Sequence, residues 1–82
     1  MYNKRTWLNS IKSDSTSSVV AFDGKVTYEN KSVDSRFLKI SDCHNKIGLH
    51  QTTDETKEDF IEKMKLLKKE IEQFINHLEK NI

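Results

Sequence analysis

Few residues in this chain could do chemistry by themselves. Asp42-Cys43-His44, with His50 close by, is the one place where an acid, a thiol and imidazoles come together. A catalytic cysteine needs a base within hydrogen-bond reach and a pair of donors for the oxyanion. Cys43 and His44 are neighbours, so in an extended chain their side chains point to opposite faces. No glycine-rich turn flanks them. The plainer reading is a small buried or half-buried cysteine beside a turn histidine. Zinc would find suitable ligand types in Cys43, His44, His50 and Asp42, but their spacing fits no finger and the chain has no second cysteine. The expectation is a protein that is not an enzyme, with no catalytic residues, no metal and no cofactor.

Carboxylates and glycines add no reactive site. Glu55, Glu58, Asp59 and Glu62 are interleaved with lysines, as in Asp59 with Lys63 and, further on, Lys68 with Glu72, which marks a solvated helix face. His77 reads as solvated too. With two glycines in the whole chain there is no phosphate-cradling loop.

Binding chemistry is better represented. Tyr2, Trp7, Phe22, Tyr28 and Phe37 stand among Lys4, Arg5, Lys25, Arg36, Lys39 and Lys46. Single-stranded nucleic acid is held by such a mixture, rings stacking on bases while cations follow phosphates. The competing reading makes most of these rings core. Trp7 comes from a short N-terminal segment and Phe37 opposes the Leu38/Ile40 face, so these two are the rings expected outside. Arg5, Trp7, Arg36, Phe37, Lys39 and Lys46 are therefore the candidate residues for binding a partner or nucleic acid.

The elements that must position them come from two periods. In the first half, Ser17–Phe22 is β-branched and aromatic, Asp23-Gly24 is a preferred pair for a tight hairpin, and Lys25–Glu29 alternates with period two. Asn30-Lys31-Ser32 reads as the next turn, Arg36–Ile40 as a strand, residues 42–46 as a turn and Ile47–His50 as a short last strand. Thr6-Trp7-Leu8 can add an edge strand, and residues 9–18 read as a mobile loop. In the second half Phe60, Met64, Leu67, Ile71, Phe74 and Leu78 recur at gaps of four and three, with Ile61 and Ile75 widening the stripe. That is an amphipathic helix over 54–81 with near-heptad spacing. Thr52 with Glu55 fits a capping box, Asp54 being a rival cap. The fold class is α+β, an antiparallel sheet of three to five short strands followed by one long C-terminal helix.

Length sharpens the reading of the helix. A span of 28 residues runs about 42 Å at about 1.5 Å per residue. A body of the remaining residues is roughly 25 Å across. The rear of the stripe then lies in water unless a second copy meets it, which makes Leu67, Ile71, Phe74, Ile75 and Leu78 the candidate interface of a homodimer. The alternative is a helix lying diagonally, or broken, and used wholly within one chain.

Composition bounds the rest. Eighty-two residues allow one domain, residues 1–82, with a marginal core. A lone cysteine forms no internal disulfide, and the expected compartment is the cytoplasm. No apolar run approaches roughly 18 residues, so no membrane span is expected. Fourteen Lys/Arg nearly cancel thirteen Asp/Glu. Residues 1–50 hold eight bases against five acids, residues 51–82 six against eight. The sheet half is mildly basic, without a dense basic patch.

Two resemblances follow. Four strands and then one long helix with an apolar seam, over residues 17–80, resembles the single-stranded-DNA-binding domain of the transcriptional coactivator family that also occurs in bacteria and phages. That likeness implies helices paired in a dimer and a sheet that binds the strand. The wording Lys4-Arg5-Thr6-Trp7-Leu8-Asn9, Ser-Thr-Ser-Ser-Val-Val-Ala-Phe and Ile40-Ser41-Asp42-Cys43-His44-Asn45-Lys46-Ile47 looks like small accessory proteins of phages and prophages in Gram-positive hosts. That second likeness implies a non-enzymatic protein in the host cytoplasm that binds and occludes a host factor, for defence or nucleic-acid handling. This is the leading expectation; nucleic-acid binding by the sheet is the alternative.

Overall fold

The protein is described by a computed structural model covering residues 1–9 and 16–80. The chain divides into two compact units, Met1–Gln51 and Thr52–Ile82. The first is a four-stranded antiparallel sheet in the order β1-β2-β3-β4, with β1 Tyr2–Trp7, β2 Ser17–Tyr28, β3 Lys31–Asp42 and β4 Asn45–His50. The second carries one helix, α1, Lys57–Lys80. The α+β class is as expected, and no helix among the described residues is long and apolar enough to cross a membrane.

The hairpin expected at Asp23-Gly24 is not there. β2 runs straight through those residues, and β2 and β3 pair continuously from Ser17↔Asp42 to Tyr28↔Lys31. The turn is Glu29-Asn30, both with positive φ, 48° and 66°. Asn30 was expected in a turn, but Lys31 and Ser32 belong to β3. Two left-handed residues give the loop a twist matching the strands it joins, and asparagine tolerates that conformation. The longer ladder prevails because it sets Val19 opposite Ile40, Ala21 opposite Leu38 and Phe22 opposite Phe37. Gly24 has an ordinary φ; a Cβ there would come within 2.8 Å of Met1 Cγ. Its small size thus admits a neighbouring side chain and makes no turn. The strand expected at Thr6-Trp7-Leu8 lies earlier, Tyr2–Trp7. Of the loop expected over 9–18, residues 10–15 lie outside the described residues, and Ser17 and Ser18 already belong to β2.

The helix starts one turn later than the Thr52/Glu55 pattern suggests. Thr56 is the cap: the Asp59 amide donates to Thr56 Oγ1 at 3.1 Å, and the Thr56 amide donates to Asp59 Oδ2 at 3.0 Å. This is the reciprocal capping box, with an aspartate in the third position. Thr52–Glu55 closes a separate turn, the Glu55 amide donating to the Thr52 carbonyl at 3.2 Å. Lys63, expected to pair with Asp59, meets the Glu55 carboxylate instead at 2.9 Å. Its hydrogen bond holds the Glu55 carboxyl below the ordinary value. Lys68 and Glu72 are 4.0 Å apart, as the sequence spacing implies.

Two substitutions test these assignments by urea unfolding. Glu29→Asn should raise stability by roughly 0.5–1 kcal/mol, because a glutamate held in the left-handed region gives way to a residue that tolerates it; mid-strand, asparagine would lower it. Thr56→Ala should cost about 1 kcal/mol while Thr52→Ala costs little, the reverse of a helix capped at Thr52.

Candidate functional site

In an antiparallel sheet directly opposed residues share a face, so the register sorts every strand side chain. One face carries Asn3, Arg5 and Trp7 of β1 with the even-numbered residues of β2, the odd-numbered residues of β3, and Lys46, Gly48 and His50 of β4. Arg5, Lys31, Lys39 and Lys46 all lie there. Among the described strand residues no carboxylate shares that face. Asp23, Asp34 and Asp42 fall on the other one, beside Lys4, Lys25 and Arg36 and the half-buried Val19, Ala21, Leu38, Ile40 and Leu49. The sheet therefore segregates its charge into a cationic face and a balanced one.

Five of the six candidate binding residues meet on the cationic face: Arg5, Trp7, Phe37, Lys39 and Lys46. Arg5, Trp7, Lys39 and Lys46 line a groove of about 300 Å³ with the buried Ser18 and the half-buried Ser41 on its floor. Trp7 is 62% exposed, and the Arg5 guanidinium sits 5.7 Å from its ring centroid. These two residues are two apart on one strand, hence on one face, and the contact steadies both side chains. A second, shallower depression of about 300 Å³ lies alongside, lined by Phe37, Lys39, Gly48 and His50, so Lys39 borders both. Phe37 is stacked on Phe22 with ring centroids 5.2 Å apart and planes 13° from parallel.

Arg36 does not join them. It alternates with Phe37, so it points to the opposite face. Its Nε lies 2.9 Å from Asp23 Oδ1, an ion pair not aligned as a hydrogen bond. Its Nη1 donates to Gln51 Oε1 at 3.0 Å, while the Gln51 amide donates to the Arg36 carbonyl at 3.0 Å. Arg36 thus ties the chain leaving β4 back to β3.

The Cys43 cluster also resolves. Cys43 and His44 form the two-residue turn between β3 and β4, Cys43 having φ 54°. The Cys43 amide donates to the Thr16 carbonyl at 2.8 Å. Cys43 is exposed, where a buried or half-buried thiol was expected, and it lines the cationic groove. Among the described residues no three His, Cys, Asp or Glu side chains converge as a metal site would require.

In the helical unit, Phe60 is buried, Met64 and Leu67 are half-buried, and every residue from Lys68 to Lys80 is exposed. The Lys63 ammonium lies 5.8 Å from the Phe60 ring centroid. Of the five candidate interface residues Leu67 is half-buried, while Ile71, Phe74, Ile75 and Leu78 are 44–62% exposed. Ser18 and Gly48, which the sequence does not single out, join the face, together with Phe22 and His50, whose presence beside Phe37 the sequence did not anticipate. Strand parity would have found Ser18 and His50, and a glycine inside a strand is itself a signal of open or closely approached backbone.

Arg36→Met keeps the stem but removes the guanidinium. It should lower the unfolding free energy by about 1–2 kcal/mol, read as a shift of the urea midpoint, because Asp23 loses its cation and the Gln51 side chain loses a donor.

Comparison of the chain with protein-family models, with curated proteins and with solved structures finds no match.

Proposed function

We propose that this chain is a non-enzymatic binding protein that takes single-stranded nucleic acid on its cationic sheet face and acts as a pair of copies joined through the rear of α1. One observation carries the first half of this reading: the strand register gathers Arg5, Lys39 and Lys46 with Trp7 and Phe37, and leaves every strand carboxylate behind. A weakly charged chain thereby gains a locally positive surface with one exposed ring, Trp7, and a second, Phe37, that is half-buried rather than outside as expected. Such a surface suits phosphates alternating with flat bases. The second half is supported by Ile71, Phe74, Ile75 and Leu78, which continue a heptad-like seam while lying exposed.

A labelled oligothymidylate titrated by fluorescence anisotropy tests the face. Neutralising the phosphates contacted by Arg5, Lys39 and Lys46 should give a log–log salt slope of about −2, at roughly −0.7 per cation. Lys39→Gln should flatten that slope by about 0.7, while Lys25→Gln on the opposite face leaves it unchanged. Undetectable binding at low salt overturns the reading. For the pairing, light scattering at micromolar concentration should give twice the chain mass of 9.6 kDa, and Phe74→Glu should give the single mass with helicity retained. A wild-type monomer removes the dimer.

A second reading is favoured by the same exposed stripe. A phage-type interaction protein in a host cytoplasm would lay Ile71, Phe74 and Leu78 against a host factor and occlude it. This version expects a monomeric chain whose capture of a defined host protein is abolished by Phe74→Glu.

A further inference from the structure

We infer that the depression over Gly48 is a stacking slot for a single nucleobase, a proposal that rests on the nucleic-acid reading of the cationic face. The slot is built by three strands. Phe22, Phe37 and His50 stand opposite one another across β2, β3 and β4. Phe22 stacks on Phe37 from the β2 side, which leaves the other face of the Phe37 ring toward β4. On that side the next residue of the same face along β4 is Gly48, paired with Lys39. Among the described residues a Cβ built on Gly48 meets nothing within 4 Å. Neither packing nor backbone requires glycine there, since Gly48 has no positive φ. What the missing side chain does is keep a space open beside the Phe37 ring.

That space has the chemistry of a flat heterocycle next to a phosphate. Its lining is mostly apolar in character and is made by Phe37, Lys39, Gly48 and His50, Phe37 being its aromatic hydrocarbon ring. About 300 Å³ is at the lower end of ligand cavities, which suits one ring system. Lys39 borders this slot and also the groove containing Arg5, Trp7 and Lys46. A base inserted beside Phe37 extends the Phe22–Phe37 stack by one member, and its phosphate falls toward Lys39 and the other cations. The same face without the slot would keep only the Trp7 ring for a base. With it, the face favours chains that carry bases.

The test separates base from backbone. Gly48→Val places a side chain in the slot, changes no charge, and replaces a poor strand former with a good one, so the sheet should be retained or strengthened. Wild type and variant are titrated at low salt with oligothymidylate and with an abasic oligomer of equal length and charge. Wild type should prefer the base-bearing strand by about tenfold, and Gly48→Val should lose most of that preference, Trp7 keeping the rest, while its abasic affinity changes less than about twofold. Phe37→Leu, which keeps an apolar partner for Phe22 but removes the ring, should act in the same direction. Equal affinity of wild type for the two oligomers, or an undiminished preference in both variants, overturns the slot but leaves the cationic face standing. Binding of neither oligomer by wild type overturns the face itself and the slot with it.

Discussion

The ladder between β2 and β3 fixes where every other side chain in the sheet can go. Its twelve-residue strands are paired without interruption, and the side-chain period of a strand is two. A slip of one residue would exchange the faces of a whole strand. The apolar pairs Val19–Ile40 and Ala21–Leu38 on one face and the Phe22–Phe37 stack on the other hold the register from both sides. β1 and β4 then add to edges whose parity is already decided.

Charge follows from that parity. On the balanced face, Asp23 meets Arg36, Asp34 is the register partner of Lys25, and Asp42 accepts a hydrogen bond from Ser17 Oγ. Each carboxylate there has a cation or donor opposite it, which strand pairs reward by a few tenths to about 1 kcal/mol. On the cationic face Arg5, Lys31, Lys39 and Lys46 have no such carboxylate partner within the strands. Like charges gathered on one surface repel, and exposed as they are, these four keep their charge in solvent. A near-neutral chain can carry a basic surface in this way without a basic composition.

The helical unit shows a comparable asymmetry along its length. Its start is specified locally by the Thr56/Asp59 box and the Glu55–Lys63 pair. Phe60 is buried and Met64 and Leu67 are half-buried, yet the same seam runs on through Ile71, Phe74 and Leu78 exposed to water. It is this exposed apolar area that the proposed pairing of copies would cover.

By itself the sequence determined the kind of elements and their order. The four–three spacing from Phe60 to Leu78 requires a helix, and the β-branched and aromatic runs before it require strands, because these periods are local properties of the chain. Alternation also separates Phe37 from Leu38 and Ile40, as the structure has it, and the same rule applied to Arg36 would have excluded it from a site containing Phe37 and Lys39. What only the tertiary structure decided is which turn forms and hence which residues face one another. Asp23-Gly24 has the stronger local turn signal, but Glu29-Asn30 closes the hairpin because it aligns a longer ladder and matches both faces, a cooperative gain that no short window contains. The cationic groove, the opposite placement of the strand carboxylates and the open space over Gly48 all follow from that register. Their residues come from strands far apart in sequence, and only pairing brings them onto one surface.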